Sequence, residues 1–180
     1  MEVIKTSIDG LLLFKPNIIY DDRGYFMQSF EKKYFEKILN NINFIQDNES
    51  QAKRGVLRGL HFQNTPFEQS KLVRVIYGKV QDVVVDLRRG SPTFGKYESF
   101  ILSSTNKNQL FIPKGFAHGF LTLSEEAIFS YKIDNKYSPD HEVGIRYNDP
   151  VLKIKWDLPH KKIILSEKDK KLPGIDLNSL

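Results

Sequence analysis

At 180 residues, with 40% hydrophobic and 27% charged residues, the chain has the length and composition expected of one globular domain (1–180) with a sizeable core. It contains no cysteine, which excludes disulfides, thiolate catalysis and Cys-based zinc sites. The net charge of +5 includes a lysine-rich stretch over 153–171 that reads as solvated surface, with no recognisable nucleic-acid-binding module. No apolar run is long enough to span a bilayer, and the first residues carry no signal-peptide pattern, so the expected location is cytoplasmic and no membrane partner is expected.

The predicted elements are short and of β type. A turn at 21–24 precedes a strand at 25–30. Residues 33–40 place Tyr34, Phe35, Ile38 and Leu39 at helical spacing, which predicts a short helix. Strands follow at 42–46 and 56–63, the second ending before Asn64, Thr65 and Pro66. Two β-branched runs, 71–77 and 79–87, are joined through Gly78, and a loop at 89–92 comes next. Further strands are predicted at 97–102, 109–112, 116–123 and 127–133. From Trp156 onward the pattern is mixed, with a helix predicted to start at Ser166.

Many short strands at this spacing predict a mainly β fold, an antiparallel sandwich or barrel with few short helices. The alternating helices of a parallel α/β sheet are missing, and so is a phosphate-cradling glycine loop. Alternation places Lys71, Val73, Val75 and Tyr77 on one face, and Ala127, Phe129, Tyr131 and Ile133 on another. Arg58 and His61 have opposite parity in an ideal strand, but a bulge at Gly59 would bring them onto one face.

Of the four histidines, His61 and His118 stand in apolar, strand-like surroundings, where each can be a hydrogen-bonded core residue or a chemical group. Two sharper readings remain open. One is a metal site from His61, Glu68 and His118, although Gln63 stands where a His-x-His pair would want its second ligand. The other is metal-free proton transfer. In it His61 is a general base, Lys71 stabilises a developing oxyanion and Tyr131 donates a proton from another direction. A snorkelling lysine and a core tyrosine are the plain alternatives for the last two. Asp169 falls in a capping-box pattern that starts at Ser166.

Several segments occur in a fixed order: DRGYF (22–26), QDN (46–48), GVLRGLHFQ (55–63), QSKLV (69–73), VDLR (85–88), SPTFG (91–95) and IPKGFAHGF (112–120). YK (131–132), YSP (137–139), EVGI (142–145), NDP (148–150) and LSEKD (165–169) continue it. Together they resemble the dTDP-4-dehydrorhamnose 3,5-epimerase family over nearly the whole chain. The resemblance implies a double-stranded β-helix, or jelly-roll, barrel of cupin-like fold acting on a nucleotide diphosphate 4-keto-6-deoxyhexose. It implies no cofactor and no metal. It makes His61 the base, Asp169 its orienting partner, Lys71 the enolate stabiliser and Tyr131 the acid on the opposite face.

The same resemblance implies substrate contacts at Arg23, Arg58, Gln46, Asp47, Asn48, His118, Glu142 and Lys168, with Tyr137 stacked on the base. It also implies a homodimer in which an N-terminal segment joins the partner's sheet. Gln28 stands where the family usually carries glutamate, at a position contacting the nucleotide end across the dimer. Glutamine keeps an acceptor oxygen but adds donors and loses charge. A C3-only epimerase, an epimerase of another nucleotide sugar and a non-catalytic sugar-nucleotide binder are the alternatives.

Overall fold

The computed structural model describes residues 1–175. Its strands are β1 (Glu2–Lys5), β2 (Leu12–Lys15), β3 (Ile19–Asp21), β4 (Gly24–Phe26), β5 (Gln46–Lys53), β6 (Leu57–Gln63) and β7 (Lys71–Tyr77). They continue as β8 (Lys79–Asp86), β9 (Tyr97–Ser103), β10 (Gln109–Ile112), β11 (Phe116–Thr122), β12 (Glu126–Ile133) and β13 (Glu142–Gly144). One helix, α1 (Lys32–Ile38), lies between β4 and β5.

Two antiparallel sheets face each other in a jelly-roll, cupin-like arrangement. One has the order β1-β2-β10-β7-β12-β5, the other β13-β6-β11-β8-β9. Their inner faces meet in a core that joins Val73, Val75 and Phe129 to Val80, Val84 and Phe120. Burying each such side chain contributes on the order of 1.5–3 kcal/mol. A second cluster covers the outer face of the five-stranded sheet, where Val83, Val85 and Ala117 pack against Ile145, Leu152 and Ile154. With both faces of β8 covered, every residue from Val80 to Asp86 is buried.

Helix α1 packs Phe35 against Phe14, Leu72 and Phe111 on the outer face of the six-stranded sheet. Glu31 caps it by accepting from the backbone N–H groups of Lys33 and Tyr34 at 3.0 and 2.6 Å. It ends before Asn40 and Asn41, both at positive φ.

Three predicted elements and one predicted side-chain face differ. The strand expected at 25–30 is the second arm of the small hairpin β3–β4, and it stops at Phe26. The strand expected at 42–46 starts only at Gln46, because the left-handed residues Asn40 and Asn41 turn the chain first. The helix expected from Ser166 is a single 3-10 turn, Asp169–Lys171, since Pro173 holds Leu172 in extended backbone. Tyr77 does not share the buried face of Val73 and Val75; a register shift against β12 leaves it exposed.

Within the chain, the N-terminal strands form one edge of the six-stranded sheet. β2 pairs with β10 of its own chain, and β1 pairs with β2.

Candidate active site

A cavity of about 560 Å³ opens between the sheets, lined by Arg58, His61, Lys71, His118, Tyr131 and Asp169, with Ser50 and Ser166 at its wall. β6 supplies the first two of these. Against β11, His61 pairs with His118 and Arg58 with Phe120, so β6 carries one more residue than its partner over this span. Gly59 absorbs the extra residue at φ +125. A Cβ there would stand 2.5 Å from Gly119 Cα, so the strands meet closely only because both residues are glycine. The bulge expected from the sequence puts Arg58 and His61 on the same cavity.

His61 Nε2 lies 2.7 Å from Asp169 Oδ1. Its other ring nitrogen is 3.6 Å from Glu142 Oε1. Asp169 arrives on a C-terminal stretch laid against β6. Ile164 donates to Gly55 O at 2.8 Å and accepts from Leu57 N at 3.0 Å. Further on, Pro173 O accepts from Arg146 N at 2.8 Å. Between these anchors, Asp169 N donates to Ser166 Oγ at 3.0 Å. Burial works to raise the Asp169 carboxyl, but the hydrogen bonds from His61 and around Ser166 outweigh it and hold it below the usual carboxylate range.

Lys71 and Tyr131 come from the opposite sheet, on the neighbouring strands β7 and β12. Burial pulls the Lys71 ammonium down to about 8, against the opposing charges of Asp82 and Glu142. Burial pushes the Tyr131 phenol up, partly offset by Arg58, so it stays protonated at neutral pH. His61 on one sheet thus faces Lys71 and Tyr131 on the other across the cavity.

A second hollow of about 300 Å³ shares His61, Lys71 and Tyr131 and extends past Gln46, Asn48, Tyr137 and Glu142. Glu142 accepts hydrogen bonds from Tyr137 and Lys168. Burial opposes the Glu142 charge, but the Lys168 and Tyr137 bonds hold its carboxyl below the usual range. The same contact pushes the Tyr137 phenol up to about 12.

Three expected contacts are not brought here. Asp47 pairs with Lys132 at 2.6 Å, because it sits between Gln46 and Asn48 and alternation turns it to the other face of β5. Arg23 projects from the β3–β4 hairpin and bonds Asp21. Gln28 lines a separate small hollow beside Met1 and Tyr34.

The metal reading needs Glu68 grouped with His61 and His118. Among the described residues, no three His, Asp or Glu side chains are grouped so as to hold a metal ion. Both histidines instead point a ring nitrogen at an aspartate, Asp169 for one and Asp82 for the other.

Sequence reasoning missed Ser50, Ser166 and Asp82. Ser50 shares strand parity with Gln46 and Asn48, which would have found it once β5 was recognised. No helix of the described residues is long and apolar enough to cross a membrane.

The family described as dTDP-4-dehydrorhamnose 3,5-epimerase matches residues 5–176. The dTDP-4-dehydrorhamnose 3,5-epimerase of Shigella flexneri is 51% identical over 170 residues, covering 94% of this chain and 93% of its own. That of Escherichia coli (strain K12) is 48% identical over 177 residues, covering 98% and 95%. The structure of the Legionella pneumophila dTDP-6-deoxy-D-glucose-3,5-epimerase, solved with dTDP-4-keto-L-rhamnose, superposes with a TM-score of 0.92. It is 48% identical, covering 98% of this chain and 93% of that one.

Proposed function

The chain belongs to the dTDP-4-dehydrorhamnose 3,5-epimerase family, and we propose that its cavity epimerises dTDP-4-dehydro-6-deoxy-D-glucose at C3 and C5 to dTDP-4-dehydro-L-rhamnose. The protein is an isomerase of the dTDP-L-rhamnose route. The ketone at C4 acidifies the hydrogens on C3 and C5, because loss of either proton leaves an enolate with its charge on the ketone oxygen.

The observation that carries this reading is the opposition of His61, held by Asp169, to Lys71 and Tyr131 on the facing sheet. His61 donates its Nε2 proton to Asp169, which leaves Nδ1 as the base. Nδ1 takes the carbon-bound proton, and the electron pair passes to the ketone oxygen. The Lys71 ammonium stabilises that oxyanion. Tyr131 returns a proton to the other face of the same carbon, which inverts the centre, and solvent restores both groups. No hydride moves, so the chemistry calls for no nicotinamide.

Arg58 takes the diphosphate, where a guanidinium fork suits phosphate oxygens, and His118 is a substrate contact. Tyr137 stacks on the base, with Gln46, Asn48, Glu142 and Lys168 as further contacts. The working form is a cytoplasmic homodimer. The exposed apolar side chains of β3–β4, Ile19, Tyr20, Tyr25 and Phe26, support contact with a second copy. That contact brings Arg23 and Gln28 of one chain to the nucleotide end of the other's site.

NMR in D2O with the dTDP and GDP forms of the 4-keto sugar tests the reading. Deuterium at both C3 and C5 of the dTDP sugar is the expected result. Label at C3 alone would assign a C3 epimerase, and label at neither carbon would end the enzymatic reading for that substrate.

A further inference from the structure

Asp82 interrupts the inward-facing row of β8 between Val80 and Val84, in the core shared by the two sheets. It is fully buried. A carboxylate in such surroundings persists only with hydrogen bonds and a nearby positive charge. Both Asp82 oxygens engage His118 Nε2, at 3.0 and 2.9 Å. Strand register sets this up: Val84 stands opposite His118 and Asp82 opposite Phe120, so Asp82 and His118 are diagonal neighbours on one face. Asp82 does not itself line the cavity, whereas His118 and Lys71 do.

We propose that Asp82 is a positioning residue for the epimerase site, fixing the His118 ring on the cavity wall and supplying the buried negative charge that balances Lys71. This rests on the functional reading above and extends it to a residue that touches no substrate. Two cavity groups thus depend on one carboxylate. His118 donates from Nε2 to Asp82, which sets its tautomer and aims its other edge. The charge of Asp82 opposes the loss of the Lys71 proton that burial promotes. The other charged or titratable groups around Lys71 are Arg58 and His61 on β6, His118 on β11, Tyr131 on β12, Tyr137 ahead of β13, Glu142 on β13, and Lys168 and Asp169 from the C-terminal stretch. Glu142 acts on Lys71 in the same direction as Asp82, so removal of Asp82 weakens the balance without abolishing it.

The test is Asp82→Asn, which keeps the shape and removes the charge. The Lys71 side-chain carbon is followed by NMR through a pH titration, its signal assigned by its loss in K71R. The expected midpoint in D82N lies about one pH unit below that of the wild type. The alkaline limb of kcat moves in the same direction, a displacement that a purely structural role would not produce. A D82N protein that folds and shows the wild-type Lys71 midpoint overturns the proposal. A second measurement needs no variant: nitrogen NMR of His118 in the wild-type protein. A proton on Nε2 is expected, and a neutral ring protonated on Nδ1 alone would overturn the assignment. Neither NMR measurement uses substrate, so a wild-type chain that epimerises nothing would end the functional reading without obscuring these results.

Discussion

His61 Nε2 and Asp169 Oδ1 stand 2.7 Å apart although the residues are separated by 108 positions in the chain. The bond joins the five-stranded sheet to the C-terminal stretch and fixes the imidazole in one orientation. Asp169→Asn keeps the volume but replaces an acceptor-only group with an amide. We expect kcat to fall about 100-fold or more, with a smaller change in KM. Steady-state kinetics on the variant checks this.

Lys71 gives two pH signatures. Its ammonium loses its proton at about 8, so kcat should decline on the alkaline side around that pH as the oxyanion loses its partner. The stability effect has a definite sign. Between about 8 and the ordinary value of 10.5, the unfolded chain holds a proton that the folded chain has released. Stability attributable to this residue therefore rises with pH across that window. Denaturant melts of wild type and K71M at several pH values should show the difference.

Gly59→Ala should be severe. The new Cβ would stand 2.5 Å from Gly119 Cα and 2.8 Å from His118 O, at a φ of +125 that side chains rarely adopt. We expect a loss of about 2 kcal/mol or more in stability, with activity lost through displacement of Arg58 and His61. Thermal unfolding and turnover, measured together, check this.

Asp86 is fully buried and accepts from Arg88, Ser91 and Thr93. Burial alone would raise its carboxyl, but these bonds hold it far below the ordinary 3.8. Its contribution is present above the unfolded value and is lost as pH falls below it. Asp86→Ala leaves Arg88 with only the Asp9 carbonyl and the Phe116 ring as partners and should cost about 1.5–3 kcal/mol at neutral pH. The penalty should shrink in acid, as urea melts at neutral and acidic pH would show.

The strands at 71–77 and 109–112 were legible because β-branched and apolar runs there are bounded by clear turn residues. β5 was not, because Gln46–Lys53 holds a single apolar residue, Ala52, and forms a strand only by pairing with β12. That misplacement hid Ser50 and the outward direction of Asp47. Gly59 was readable as a bulge because a glycine between Arg58 and His61 changes parity. Asp169 had no local signal beyond a capping pattern; its partner is fixed by a tertiary crossing. Asp82 was hidden for a related reason, since one aspartate in an apolar strand acquires meaning only from the His118 beside it. Arg23 and Gln28 lie away from the cavity of their own chain, which no pattern within one strand reveals.

The opposition of base and acid is tested most directly by following deuterium uptake and inversion separately, in D2O, for His61→Asn and Tyr131→Phe. With the base intact, Tyr131→Phe should still exchange the C3 hydrogen for deuterium, while inversion falls about 100-fold or more. His61→Asn should lose exchange and inversion together. Exchange at the wild-type rate in His61→Asn, or inversion at the wild-type rate in Tyr131→Phe, would contradict the account.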